Sequence, residues 1–342
     1  MSDKFSDNLY EFLSLAFSAS STTAPTKYAA VIVDLRGGLA HLNNNNVAGG
    51  WNWIGTGFLE PNYPVLWRNG APDVFPPLSG YRGGSIGALG PNGEFVINCD
   101  HTDRRSVTPV LIKNGESTVL TGNGGNVTQA FACNDKTVVG MSITASRVAS
   151  PVRWDDGKLT VLGGDKVGGR AMSINANGKV VGQNRASSNP RTTQFTAFAH
   201  TFEGGYVELG RFNPNDMTSA YDVNDKGVVV GNCQPKGGMR IPVKWDADNN
   251  IVNILPQGAL GGMACSINNL GSIVGNMVAN NTMSAWVDHG DEAKNLNDLV
   301  VNNDPSWTLY DAVAINDNGW IICMGTSSKT GERKSFVLMP VE

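Results

Sequence analysis

The residues best suited to chemistry gather in two neighbouring stretches, Tyr81-Arg82 and Asp100-His101-Thr102-Asp103-Arg104-Arg105. A histidine beside arginine, with a tyrosine close by, can remove an acidic proton α to a carboxylate whose charge the guanidinium neutralises. His101 and Tyr81 are therefore the candidate catalytic pair, with Arg82, Arg104 or Arg105 as the anion partner, for elimination on a uronate-containing glycan. Against this stands the plainer reading of a surface histidine flanked by aspartates in an ion-paired loop. Asp100, His101 and Asp103 lack a second histidine or a recognised calcium loop, so no metal site is assigned, and no cofactor motif is present.

Arginine is the other signal. An element reading (below) puts Arg36, Arg82, Arg104, Arg105, Arg147, Arg170, Arg185, Arg191, Arg211, Arg240 and Arg333 in loops of one face. That is 11 of the 13 arginines. Lys113, Lys136, Lys158, Lys179, Lys226 and Lys294 fall in or beside the opposite loops, with many carboxylates. Guanidinium groups suit bidentate recognition of carboxylate, sulfate or phosphate. The sequence thus predicts an anionic ligand, foremost an acidic polysaccharide, held by Arg82, Arg104, Arg105, Arg147, Arg170, Arg185, Arg191, Arg211 and Arg240. Trp51 and Trp53 could stack on sugar rings or fold inward as a local core. Solvated loop charge is the alternative.

The elements that must position these groups come from an internal repeat. Ala171 to Ile174-Asn175, followed by Gly178 and Val180-Val181-Gly182, recurs at Asn224, Asn268 and Asn316, with degenerate copies at Asn43, Gly90 and Asn134. The spacings of 47, 44, 41, 49, 44 and 48 residues are those of propeller blades. Each unit parses into four short strands, the first ending in Ile-Asn and the third carrying a tryptophan, as in Pro151-Val-Arg-Trp154. Asparagine accepting from the backbone two residues on, with glycine at positive φ three residues later, explains the first turn. The last unit lacks a fourth strand, and Tyr28–Leu35 can supply it, which removes exposed sheet edges. The expectation is an all-β, seven-bladed β-propeller of four-stranded antiparallel blades over 27–342, its ring closed by the N-terminal strand on the C-terminal blade. The A-x-x-I-N-x-x-G-x-V-V-G core resembles the HAF-repeat proteins over about residues 28–342. That resemblance implies a β-propeller and no particular activity.

Composition agrees and excludes some partners. Of 342 residues, 41% are hydrophobic and only 16% charged, with 41 glycines, a profile for short strands and tight turns. A net charge of −4 argues against nucleic acid as partner. Residues 1–26 read as an amphipathic helix and linker, through Leu9, Phe12, Leu13, Ala16 and Phe17, that docks on its own domain or on a protein partner, making the propeller the head of a larger assembly. No stretch is long enough to span a membrane. The N-terminus lacks a basic, apolar secretory pattern, and the five cysteines, without C-x-x-C spacing, read as reduced. The expected location is the cytoplasm, or outside the cell by a non-Sec route.

Overall fold

The computed structural model describes residues 25–53, 61–163, 168–185, 194–302 and 304–341. The expected N-terminal helix and Arg191 lie outside the described residues. Among those described, the chain is all-β apart from one 3-10 turn at Leu296–Asp298, and no helix is long and apolar enough to cross a membrane.

Five sheets have four strands each. The first contains Gly38–Leu42, Ala48–Trp53, Asn62–Arg68 and Ala71–Val74 in meander order, and three further meanders begin at Gly169–Ile174, Met217–Val223 and Gly261–Ile267. The fifth is made from both ends of the chain: Lys27–Val33 pairs antiparallel with Arg333–Val341, from Lys27 opposite Val341 to Val33 opposite Ser335. The N-terminal strand thus closes the C-terminal sheet as the sequence leads one to expect. Its outer edge is covered in turn, because Tyr28 N–H donates to the Leu299 carbonyl and the Asn302 amide bonds both N–H and C=O of Ala30.

The remaining strands correct the expected architecture. The units from Gly83–Leu89 to Glu116–Val119 and from Gly124–Cys133 to Lys158–Val161 are joined in one eight-stranded sheet. The molecule therefore has five four-stranded blades and not the expected seven, with the remaining strands in one eight-stranded sheet, and its pairing is not purely antiparallel. The cause is local. The strand Gly124–Cys133 runs ten residues, longer than any other innermost strand. Its early part reaches the preceding unit, where Val127 pairs in parallel with Val107 and the Asn126 amide donates to the Arg105 carbonyl.

Two devices repeat. Every innermost strand is bulged three residues before the repeat asparagine or its substitute, as between Ala171 and Ser173 or Ala220 and Asp222. A bulge leaves one residue unpaired and re-aims its neighbours, so Met172 and Tyr221 escape the ladder. Between sheets, Trp67, Trp154, Trp245 and Trp286 are fully buried, filling the wide space as their third-strand positions suggest. The Trp154 and Trp245 indole N–H groups donate to the carbonyls of Thr121 and Gly210 in the preceding units.

The repeat asparagines do more than close their own turns. Asn175, Asn224, Asn268 and Asn316 accept with Oδ1 from the backbone N–H four residues on; the expected two-residue reach occurs at Asn43 and Asn134. Gly178 and Gly227 take the positive φ that these turns require, 81° and 80°. Each Nδ2 then donates to a backbone carbonyl of the next unit. Asn175 reaches Asn224, Asn224 reaches Asn268, Asn268 reaches Asn316, and Asn316 reaches Asn43, at 2.9–3.1 Å. Asn43 continues to Gly90, and Asn134 to Asn175. These bonds belt one mouth of the central channel.

All five cysteines are free, four of them buried. Burial pushes the Cys99 and Cys133 thiols up to about 12, which makes them packing groups and not nucleophiles.

Candidate functional site

The opposite mouth is formed by the connections into the innermost strands and between second and third strands. Two innermost strands, Gly169–Ile174 and Met217–Val223, open a pocket of about 390 Å³ there. Arg170 stands on the first of these strands, and Arg240 lies in the loop leading to Ile241–Trp245. Both side chains are exposed, and neither forms an ion pair among the described residues. Arg240 Nη1 lies 3.6 Å from the Met263 sulfur.

The pocket wall is ordered by neutral hydrogen bonds. Ser219 Oγ donates to Gln183 Oε1 at 2.6 Å, and the buried Asn232 donates from Nδ2 to the Tyr221 hydroxyl at 2.6 Å. Tyr221 is the bulge residue of its strand, and the bulge is what delivers the ring to the pocket. Burial raises its pKa and keeps the phenol protonated. Phe195, Met172 and Met217 supply apolar surface. Two guanidinium groups, fixed amide and hydroxyl dipoles, and ring faces are what an organic anion needs to bind with orientation.

The candidate catalytic pair is brought together as well. The Tyr81 and His101 rings meet edge to face with centroids 4.9 Å apart. His101 Nε2 is engaged by the Thr108 hydroxyl at 2.9 Å, which leaves Nδ1 as the available ring nitrogen. Burial raises the Tyr81 phenol. Burial also raises Asp100, against the opposing pull of Arg82 and His101.

Asp103 does something other than the ion pairing expected of it. Its carboxylate accepts from the Ser106 hydroxyl and from the backbone N–H groups of Arg105 and Ser106, which hold it down at about 2. Asp103 therefore shapes the loop, while Arg104 and Arg105 remain exposed.

The other predicted residues divide. Arg105 and Arg147 line a second opening of about 660 Å³ with Gly124, Gly125 and Asn126. Arg185 lies over the Phe195 ring at 5.9 Å. Arg211 is drawn away from a ligand role, because its Nη2 bonds Glu208 and Thr196 and its Nη1 bonds the Pro214 carbonyl. Arg333 sits 6.0 Å from the Tyr310 ring. Trp51 is half-buried against Gly38, whose missing side chain leaves room for the indole, and Trp53 is exposed.

Gln183, Phe195, Tyr221 and Asn232 were not among the predicted site residues. One of them had a readable signal of residue type, since Tyr221 brings a hydroxyl to a position where the other units carry Ala40, Gly87, Phe131, Met172, Cys265 and Val313. Among the described residues no three His, Cys, Asp or Glu side chains gather to hold a metal.

The sequence matches no family model and no curated protein. The fold does have solved counterparts. It superposes on the β-propeller domain of the Trilobed protease from Pyrococcus furiosus with a TM-score of 0.62 at 10% identity, over 91% of this chain and 97% of that one. An acylaminoacyl peptidase from Pyrococcus horikoshii gives 0.60 at 10% identity, over 88% of this chain and 51% of that one. Virginiamycin B lyase from Staphylococcus aureus gives 0.54 at 10% identity, over 92% and 99%. At these identities the likeness establishes a β-propeller fold and nothing about the ligand.

Proposed function

We propose that the chain is a binding propeller that recognises an anionic ligand, an acidic polysaccharide in particular, on its arginine face. What supports this is that Arg170 and Arg240 line one pocket in which Ser219 is already bonded to Gln183 and Asn232 to Tyr221. Such a site costs little to organise when a carboxylate arrives, because Gln183, Ser219, Tyr221 and Asn232 are held in place beforehand. The guanidinium groups would take the carboxylate, and Phe195 and Tyr221 would take the face of a sugar ring. Sulfate or phosphate would satisfy the same arginines but leave the apolar wall unused.

Titration calorimetry with galacturonate oligomers tests this directly. Wild-type protein should bind, and Arg170→Gln with Arg240→Gln should weaken binding by about a hundredfold, each lost charge-assisted contact being worth roughly 1.5 kcal/mol. Equal affinity for a neutral glucan oligomer would contradict the proposal.

The Tyr81–His101 contact favours a second reading, elimination at a uronate. His101 Nδ1 would take the proton α to the carboxylate, the C–O bond to the leaving sugar would break as the C=C bond forms, and the Tyr81 phenol would protonate the departing oxygen. Burial keeps the Tyr81 phenol in the protonated form from which a general acid starts, while making it a weaker donor than a free tyrosine. Polygalacturonate incubated with the protein should then develop unsaturated-product absorbance that His101→Ala abolishes. No absorbance would leave a binding protein.

A further inference from the structure

We infer that the arginine face binds its ligand at two separate subsites, so that the natural ligand is a polymer and not a single small anion. This rests on the anion-binding reading above and assigns it a second site. The second subsite is the opening lined by Arg105 and Arg147, and no residue lines both it and the Arg170–Arg240 pocket. It exists because of the fused sheet. The early part of Gly124–Cys133 forms its floor, Asn126 clamps the Arg105 carbonyl, and the turn from Thr144 to Val148 presents Arg147 from the adjoining loop. Arg105 and Arg147 are exposed, and neither has an ion-pair partner among the described residues.

Backbone conformation gives an independent pointer. Nine described non-glycine residues have positive φ; seven are Asn or Asp, the types that tolerate it, and the other two are Arg104 and Arg147. These two occupy equivalent turns, Arg104 N–H bonding the His101 carbonyl and Arg147 N–H bonding the Thr144 carbonyl. Arginine gains nothing structural at such a position over glycine or asparagine, and strained residues of this kind concentrate at ligand sites. One junction between sheets separates this subsite from the Arg170–Arg240 pocket. A chain of acidic units running around the channel mouth would engage both, and the second engagement would raise affinity without any new type of contact.

The test is calorimetry with galacturonate as monomer, trimer and decamer against three proteins: wild type, the Arg105→Gln/Arg147→Asn double variant and the Arg170→Gln/Arg240→Gln double variant. Asparagine at 147 keeps the turn unstrained, and circular dichroism checks folding. The decamer should bind wild type at least about tenfold tighter than the trimer, and that gain should vanish in the Arg105/Arg147 variant, while the monomer keeps its affinity for the Arg170–Arg240 pocket and loses one site from its stoichiometry. If the monomer and trimer bind but the decamer gains nothing, or keeps its gain in that variant, the second subsite is overturned and the single-pocket reading stands. If no oligomer binds wild type, both fall.

Discussion

The two mouths of the channel use polar side chains in opposite ways. At the asparagine mouth, the repeat amides Asn175 and Asn224 put their oxygen to use in their own turn and their nitrogen in a bond to the next unit, so that these groups hold the fold together. At the arginine mouth, the neutral groups satisfy one another while Arg105, Arg147, Arg170 and Arg240 are without carboxylate partners among the described residues. The lesson is that a dense polar ring is not in itself a site; what distinguishes a site is donors that the fold positions but does not use.

Breaking the asparagine belt should have the largest effect. Asn224→Ala removes the bonds to Val228 N–H and the Asn268 carbonyl at a buried position, and should cost about 4 kcal/mol in urea unfolding with oligogalacturonate affinity unchanged in the fraction that folds. A binding defect as large as the stability defect would erase the distinction between the mouths.

Between them, His41 follows the bulge of the strand Gly38–Leu42, and burial depresses its imidazole to about 4. The unfolded chain takes up a proton there below about pH 6.5, the folded chain only below about pH 4. Stability should therefore fall as pH drops through that window, by up to about 3 kcal/mol, and level off beneath it. His41→Gln should flatten the profile; an unchanged slope would mean that His41 is accessible to protons in the folded state.

At the arginine mouth the signs reverse. Arg170→Gln should leave the unfolding midpoint within about 0.5 kcal/mol of wild type, as for other exposed substitutions, while reducing oligomer affinity about tenfold. The smallest effect sharpens the contrast most. Arg147→Gly should stabilise the fold by about 1 kcal/mol, because glycine relieves the positive φ of 64°, yet weaken decamer binding. Asn249→Gly, at φ 65°, should change stability little, asparagine being at ease there.

Much of the scaffold was legible because it is written in repeated local terms. The Ile-Asn-x-x-Gly turn, the third-strand tryptophans and the closing strand at Tyr28 each follow from a few neighbouring residues. The fusion of two units was not, since it depends on one parallel pairing, Val107 with Val127, and on how far one strand extends past its expected start. The site was legible by composition only. Arg170 and Arg240 could be assigned to one face from loop order, but their shared pocket depends on the packing of two sheets, and the salt bridge that removes Arg211 to Glu208 depends on rotamers. Tyr221 stood out by residue type, but the direction of its ring was hidden by the bulge, because strict strand alternation gives no reason for it to leave the ladder.

The central claim is that ligand enters at the arginine mouth. Hydrogen exchange with and without decagalacturonate measures this most directly. The account predicts slowed exchange in residues 168–172, 217–221 and 234–241 and in the turns around Arg105 and Arg147, with the Asn175, Asn224 and Asn268 turns unchanged. Protection confined to the asparagine turns, or spread evenly over both mouths, would contradict it.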